Sequence, residues 1–301
     1  MRRLLTYSVN NMLPRKAMNH VIRTYAKRNL VNASHVRKAI GKIDTIWRAR
    51  IDDVVSSPDN LFIHRDLEAG AVKDYYITMH NGVKVCANGY YGSGILNMLI
   101  ENRGVHEPQE ERAFEEIINL LPESCTMLEL GAYWGFYSLS LLQARPQAKC
   151  HLVEPEIYNI TSGQINFELN SRKGNFLNAK VDEHQSEKLN TISVDSYCES
   201  NSIKHLNILH SDIQGFEFSM LKGADRMLSK NCVDYLFIST HSNELHEACT
   251  LQLLKKDYCI LASANLDETF SCDGLIVAKR PSLKDPSALV ISKKRKLAAA
   301  G

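Results

Sequence analysis

The sequence predicts an α/β fold built around a mostly parallel β-sheet with an antiparallel hairpin near its C-terminal end. From Pro108 onward, short apolar runs typical of buried strands alternate with segments of helical periodicity. Such alternation is typical of parallel strands that are covered by helices on both faces. The last two strand-like runs, Tyr258–Ser263 and Gly274–Lys279, have no helical segment between them and therefore predict the closing hairpin.

Residues 1–55 precede this domain and predict a basic helical arm. Residues 1–50 contain twelve Lys and Arg residues but one acid, Asp44, so the rest of the chain carries a net charge of about −9. This charge suits peripheral docking to an anionic membrane or binding to nucleic acid. A helical arm that packs on the domain, or a transit sequence, would have the same composition. We expect a cytoplasmic protein without a transmembrane segment, because no run of eighteen apolar residues occurs.

Residues 56–106 predict a small β-containing cap. The segment Ser57–Asn60 interrupts the helical pattern, and two strand-like runs, residues 75–79 and 83–86, then flank Asn81-Gly82. Asn-Gly favours a tight hairpin turn, because both residues tolerate positive φ. Residues 107–280 then form the α/β domain, and we expect the polar tail, residues 281–301, to be disordered.

The first chemical signal lies in Glu129-Leu-Gly131-Ala132-Tyr133-Trp-Gly135, between a predicted strand and a predicted helix. Glycine allows the sharp turn and the close backbone approach to a ligand that nucleotide-binding folds use at this place. Glu154 ends the next strand, twenty-three residues after Gly131, and Pro155 stops that strand. An acid at this distance binds ribose hydroxyls in such folds. The pattern fits NAD or a methyl-donor cofactor, although Tyr133 replaces the middle glycine of the dinucleotide fingerprint.

A third motif separates these two cofactors. The run Asp212-Ile-Gln214-Gly-Phe-Glu217 continues into Leu221-Lys-Gly-Ala224, which resembles the D-x-Q-G-x-E and L-K-G-A signature of FkbM-family methyltransferases. Other segments of residues 107–280 resemble the same family in the same order, namely Glu129–Ser138, Val153-Glu154-Pro155, Asn166 with Asn170, and Ile192–Asp195. Departures from the family pattern are Glu129, where the family has Asp, and the bulky pair Tyr133-Trp134.

The resemblance implies a Rossmann-like class I methyltransferase that uses S-adenosylmethionine and methylates a hydroxyl of a sugar, glycolipid or secondary metabolite. It places the cofactor against Glu129, Gly131, Ala132, Tyr133, Gly135, Glu154, Pro155, Asp212 and Gln214. Alternatives are a methyltransferase that binds nucleic acid through the basic arm, and a catalytically silent nucleotide-binding module.

Removal of the proton from an alcohol requires a base beside it, and ligands of open α/β sheets bind beyond the carboxyl ends of the strands. Asp212 and His241 each follow a predicted strand, so both are candidates for the catalytic base. We favour His241, because imidazole transfers protons near neutral pH. Asp212 together with Glu217 would alternatively suit a divalent metal ion. Glu111 is a further candidate, either at the rim of the pocket or as a helix N-terminal acid.

Overall fold

A computed structural model of the chain describes residues 15–294. The parts of the predicted arm and tail that lie outside this range are residues 1–14 and 295–301. The described helices are α1 (Arg15–Leu30), α2 (Ala33–Ala39), α3 (Thr45–Ser56), α4 (Ser93–Glu101), α5 (Pro108–Leu120), α6 (Phe136–Ala144), α7 (Ile157–Leu169), α8 (Val194–Ser200), α9 (Glu217–Gly223), α10 (Asp225–Ser229) and α11 (Asn243–Leu254). The described strands are β1 (Val72–Lys73), β2 (Tyr76–Thr78), β3 (Lys84–Cys86), β4 (Thr126–Leu130), β5 (Lys149–Val153), β6 (Asn175–Leu177), β7 (Lys180–Val181), β8 (Thr191–Ile192), β9 (Leu206–Ser211), β10 (Val233–Thr240), β11 (Cys259–Ala264) and β12 (Gly274–Lys279).

Seven strands form the central sheet, in the order β11-β12-β10-β9-β4-β5-β6. The five strands from β10 to β6 are parallel, whereas β12 lies antiparallel to both β10 and β11. This arrangement confirms the predicted Rossmann-like α/β fold, with a mostly parallel central sheet and an antiparallel hairpin at its C-terminal end. The carboxyl ends of the parallel strands therefore share one edge, where such folds bind their ligands.

Alternate residues of each strand enter two separate hydrophobic cores, as the period of two in a strand requires. Met127 of β4 and Phe237 of β10 face a core that includes α5 and α6. Their neighbours Leu128 and Leu236 face the opposite core, which includes α8 to α11. Burial on both faces explains why these strands contain near-continuous apolar runs.

The described part of the basic arm packs against the domain. Val36, Ile51 and Val54 are buried in the same core as α5 and α6, and α1 lies along α7, where Arg23 donates a 2.8 Å hydrogen bond to Gln164. The basic residues of α1 and α2 include the exposed Lys27, Arg28, Arg37 and Lys38. The arm therefore combines an apolar inner face with a basic outer face. No helix within residues 15–294 has the length and apolar character that a membrane span requires.

The predicted cap contains the expected hairpin, because β2 and β3 pair around Gly82, whose φ is +83°. Residues 93–101, which the sequence interpretation left unassigned, form helix α4. Two asparagines of α7 hold β3 in place: Asn166 accepts a hydrogen bond from the Cys86 amide at 2.7 Å, and Asn170 accepts one from the Lys84 amide at 2.9 Å. Asn166 also donates to the carbonyl oxygen of Trp134. This asparagine pair therefore ties the cap to the loop after β4.

The expectation of a disordered tail is wrong for residues 281–294, which lie along the domain without regular secondary structure. Leu289 is buried, and its amide donates to the carbonyl oxygen of Leu261. The Ser292 amide donates to the buried carboxylate of Asp59 at 2.9 Å. Leu283 and Ile291 also pack against the same core as Leu289. A few apolar side chains and hydrogen bonds therefore hold this polar segment, and composition alone does not reveal them.

Candidate active site

The carboxyl ends of β9 and β10 and the first residue of β12 meet at one edge of the sheet. Ile238 of β10 lies opposite Ser211 of β9, and Thr240 lies opposite Gly274 of β12. The residues just beyond these positions therefore converge, although they are far apart in the sequence. They are Asp212, His241 and Asp273, and the last of these was missed in the sequence.

His241 is surrounded by carboxylates on both sides of its ring. Its Nδ1 atom lies 2.9 Å from Oε1 of Glu217, and its Nε2 atom lies 3.2 Å from Oδ1 of Asp212 and 3.5 Å from Oδ1 of Asp273. Burial by itself would lower the pKa of His241, but the hydrogen bonds that its ring donates to Asp212 and Glu217 outweigh this effect and raise the pKa to about 10. His241 is therefore an imidazolium at neutral pH.

Glu217 lies at the start of α9 and is completely buried. Its Oε1 atom accepts hydrogen bonds from the amides of Ile213 and Gly215, each at 3.2 Å. The intervening turn places Gln214 at φ +56° and Gly215 at φ +100°. Glu217 thus holds the turn and faces His241, a more specific arrangement than the helix-dipole contact of an ordinary N-terminal acid.

A cavity of about 420 Å³ adjoins this cluster. Its walls come from five parts of the chain: α3, the cap, the residue before α5, the loop after β9 and the loop before β12. Its lining residues are Arg50, Asp53, Val54, Tyr90, Tyr91, Ile95, Met98, His106, Glu107, Asp212, Gln214, Phe270, Ser271, Cys272 and Asp273. The volume lies within the range of small-molecule binding sites.

Asp212 presents a partly exposed carboxylate to the cavity. Its side chain is 23% exposed, and Oδ1 lies 3.2 Å from both His241 Nε2 and the Gln214 side-chain nitrogen. The Gln214 side-chain nitrogen also lies 2.9 Å from His241 Nε2; two N–H donors cannot share a hydrogen bond, so the protonated ring donates to Asp212. These contacts fix the orientation of the carboxylate relative to the cavity.

Glu107 and His106 form a second group of ionisable side chains in the cavity wall. Burial raises the pKa of Glu107 to about 8, against the lowering influence of His106, while Glu110 and Asp212 raise it further. Glu107 accepts a 2.7 Å hydrogen bond from the hydroxyl of Tyr137. Burial lowers the pKa of His106, but the carboxylate of Glu111, 2.7 Å away, and other acids raise it to about 9.

Aromatic side chains separate the cavity from the loop after β4. Tyr90 stacks on Trp134 with ring centroids 4.5 Å apart and an interplanar angle of 8°. Tyr133 contacts Tyr90 edge-on, with a centroid distance of 4.6 Å, and lies 5.3 Å from Tyr91. The bulky Tyr133-Trp134 pair, which departs from the family pattern, is therefore matched by two tyrosines of the cap.

The loop after β4 packs directly against the loop after β9. Gly131 has a φ of +71°, and a Cβ atom at this position would lie 1.7 Å from the carbonyl oxygen of Asp212. Only glycine allows both this backbone conformation and this contact. Gly135 also has positive φ and caps α6. Beneath the turn, the buried Glu129 accepts a hydrogen bond from the Ser138 amide at 3.0 Å, and burial raises its pKa.

Glu154, at the end of β5, accepts three hydrogen bonds from protein groups. Its Oε2 atom accepts from the Tyr133 amide at 3.1 Å, and Oε1 accepts from the Glu156 amide at 2.9 Å and from the Asn159 side chain at 3.2 Å. Burial raises its pKa to about 7 despite these donors. A carboxylate offers about four acceptor positions, so one remains for a ligand hydroxyl. Pro155 beside it is exposed.

The structure brings two of the predicted site residues, Asp212 and Gln214, into the cavity wall, and His241 lies directly behind them. The other predicted cofactor residues lie at the β4 and β5 ends of the same sheet edge and do not line this cavity. Glu111 does not line it either, since its carboxylate is paired with His80 and His106.

Sequence interpretation missed several cavity residues: Arg50, Tyr90, Tyr91, His106, Glu107, Cys272 and Asp273. Their segments carry no motif, and only the tertiary fold brings them together. Within residues 15–294, no cluster of three or more His, Cys, Asp or Glu side chains has the arrangement of a metal site.

Residues 137–258 match the family described as the methyltransferase FkbM domain. The match confirms the resemblance inferred from the Asp212–Ala224 motif. It extends from α6 to Tyr258, just before β11, and leaves the arm, the cap, β4 and the glycine turn outside.

Solved structures similar to this chain include three methyltransferases. One is a precorrin-6y C5,15-methyltransferase from Geobacter metallireducens GS-15, with 12% identity, a TM-score of 0.41, and coverage of 57% of this chain and 88% of that chain. A putative tRNA (m1A22) methyltransferase from Streptococcus pneumoniae has 14% identity, a TM-score of 0.40, and coverage of 57% and 71%. A ribosomal protein L11 methylase from Lactobacillus delbrueckii subsp. bulgaricus has 11% identity, a TM-score of 0.41, and coverage of 59% and 81%. No curated protein sequence matches the chain significantly.

Proposed function

We propose that this chain, whose residues 137–258 match the methyltransferase FkbM domain, transfers the methyl group of S-adenosylmethionine to a hydroxyl of a small molecule or glycan. The acceptor classes that we propose are sugars, glycolipids and secondary metabolites. The observation that carries this proposal is the partly exposed carboxylate of Asp212 in the wall of a cavity at the carboxyl edge of the sheet, where such folds bind ligands.

The side chains of this edge suit the charges of S-adenosylmethionine. The carboxylates of Asp212 and Glu107 suit its ammonium and sulfonium charges, and the faces of Tyr90 and Tyr91 suit a cation by cation–π attraction. The remaining acceptor position of Glu154 suits a ribose hydroxyl. The cofactor, when bound, supplies an electrophilic methyl group; the protein supplies orientation and proton transfer.

The general base that we propose is Asp212 rather than His241. A base needs a free lone pair, and the two ring nitrogens of His241 both face carboxylates and carry protons at neutral pH. In the reaction, the acceptor oxygen forms a bond to the methyl carbon as the carbon–sulfur bond breaks, and the hydroxyl proton passes to the Asp212 carboxylate. His241 is a positioning residue, because its positive charge and hydrogen bond orient that carboxylate.

The walls of the cavity support a small acceptor. Helix α3 contributes Arg50, Asp53 and Val54, and the cap contributes two tyrosines and the apolar side chains Ile95 and Met98. A single sugar ring or a similar hydroxylated group fits a space of about 420 Å³.

The test is transfer of labelled methyl groups to a panel of hydroxylated sugars, glycolipids and secondary metabolites, with a tRNA pool as the nucleic-acid arm. We expect transfer to a panel member and a loss of about 100-fold or more in kcat for Asp212→Asn, the range for removal of a general base. The matched control is Glu123→Gln, a change of an exposed acid in the loop before β4. Full activity of Asp212→Asn would exclude Asp212 as the base. Methylation of tRNA alone would replace the proposed substrate class, and cofactor binding without transfer to any acceptor would favour a silent module.

A further inference from the structure

Glu107 lies in the wall of the cavity, and burial raises the pKa of its carboxyl group to about 8. Its side chain lines the cavity wall and is 13% exposed. The carboxylate is not part of the His241 cluster, and the base assignment above does not use it. Its position beside Asp212 and Tyr90 nonetheless places it at the edge where the cofactor is expected.

We propose that Glu107 is the carboxylate that recognises a positive charge of the cofactor, so that cofactor binding expels a proton from this side chain. This inference rests on the proposed cofactor use and deepens it. Two groups of S-adenosylmethionine share the required chemistry, the sulfonium and the α-ammonium. Only the α-ammonium is retained in the demethylated product, S-adenosylhomocysteine.

The groups that face Glu107 come from every surrounding element. His106 and Glu110 lie beside it in the chain, Tyr137 comes from α6, Asp212 from the loop after β9, Tyr90 from the cap and Cys272 from the loop before β12. His106 is the nearest cation, with its Nε2 atom 3.5 Å from Oε2 of Glu107. His106 is also bound more closely by Glu111. Without a ligand, the charge of an ionised Glu107 is therefore only partly neutralised by His106. A ligand cation beside Glu107 would favour its ionised form.

Because cofactor binding is coupled to deprotonation of Glu107, the number of protons released on binding can be measured. A side chain with a pKa of about 8 is about 90% protonated at pH 7, so full ionisation on binding releases about 0.9 protons. The apparent affinity then rises with pH, by about twentyfold between pH 6.0 and 7.5. The sign is fixed, because a bound cation lowers the pKa of a carboxyl group.

The experiment is isothermal titration calorimetry of the full chain with S-adenosylmethionine and with S-adenosylhomocysteine. Two buffers of different ionisation enthalpy at pH 7 give the number of protons released. We expect about 0.9 protons for the wild type and a count lower by about that amount for Glu107→Gln, which retains an acceptor for the Tyr137 hydroxyl. Glu123→Gln, with its exposed side chain, is the matched control and should leave the count unchanged. If Glu107→Gln lowers the number of released protons with both ligands, Glu107 contacts the ammonium. If it lowers that number with S-adenosylmethionine alone, Glu107 contacts the sulfonium.

Equal proton counts for the wild type and Glu107→Gln would overturn the inference. If Glu107→Gln does not fold, two other measurements test the inference. The first is the number of protons that the wild type releases on binding, and a number near zero overturns the inference. The second is the pH dependence of affinity in Tyr137→Phe. The Tyr137 hydrogen bond lowers the pKa of Glu107, so its removal should move the midpoint of the affinity profile to higher pH; an unmoved midpoint argues against Glu107. Failure of both ligands to bind the folded wild type would instead refute the proposed function.

Discussion

The protonation state of His241 can be tested through the pH dependence of folding stability. In the folded protein the pKa of His241 is about 10, whereas the ordinary value is 6.5. Because the folded pKa is raised, the stabilisation is fully present below pH 6.5 and is lost as the pH rises through 10. Between pH 7 and pH 9 the folded state holds nearly one more proton than the unfolded state, which amounts to about 2.5 kcal/mol over this interval.

The assay is urea unfolding of the wild type and of His241→Gln at pH 7 and at pH 9. We expect the wild type to lose about 2 kcal/mol more than the variant across this interval. Other groups that titrate in this range, including Glu107 and His106, are present in both proteins, so the comparison removes their shared contribution. His184→Gln is the control, because the side chain of His184 is 86% exposed.

A constant difference between wild type and His241→Gln at the two pH values would refute the assignment of His241 as a cation held by Asp212 and Glu217. It would restore His241 as a candidate base. The variant leaves the buried Glu217 without its positive partner and should be less stable by about 3 kcal/mol at pH 7. If it does not fold, the NMR titration of the His241 ring in the wild type measures the same quantity, and a pKa near 6.5 would contradict the structure.

Three further substitutions test the loops and the tail. Gly131→Ala should destabilise the fold by about 3 kcal/mol or more in thermal unfolding, because the new methyl group meets the Asp212 carbonyl and backbone strain adds to the clash. The control is Gly41→Ala, where φ is positive but no neighbour lies within 4 Å, and it should cost only about 1 kcal/mol. Equal losses of stability in the two variants would argue against the contact between Gly131 and Asp212. Leu289→Ala should lower the free energy of unfolding by about 2 kcal/mol, a loss that a disordered tail would not show. Glu154→Ala should weaken S-adenosylmethionine binding by about tenfold or more in calorimetry, the expected effect of a lost charged hydrogen bond, and unchanged affinity would remove Glu154 from the site.

Local signals predicted most of the helices and strands from β4 to β12, and with them the fold class. They did not predict the short strands β6, β7 and β8 or helix α8, and they predicted α9 and α10 as one helix. Two departures show the limit of such signals. From its sequence position, Glu217 is expected to be a favourable N-terminal acid of a helix. In the structure its main contacts are the turn before α9 and the ring of His241. The tail reads as polar and disordered, yet Leu289 and Ser292 attach it to the domain. Both contacts join segments that have no fixed spacing along the chain.

The glycine turn after β4 was predictable because its backbone requirements are local. Gly131 and Gly135 adopt positive φ, and Glu154 follows at the end of the adjacent strand. The detailed environment of Glu154 was not predictable, since three protein donors occupy most of its acceptor positions. The positive charge of the arm could also be predicted, because it follows from the composition of residues 1–50. Docking of the arm to an anionic membrane stays a prediction.

The sequence by itself determined the class of fold, the family resemblance and the edge of the sheet where chemistry would occur, because periodicity, turn glycines and motif spacing depend on residues close together in the chain. Only the tertiary structure decided which groups meet there. The carboxylates that surround His241 come from the loops after β9 and before β12 and from the start of α9, and the cavity beside them is completed by α3 and the cap. Burial and opposite charge set the pKa of a side chain, and both depend on neighbours that folding brings together from distant segments.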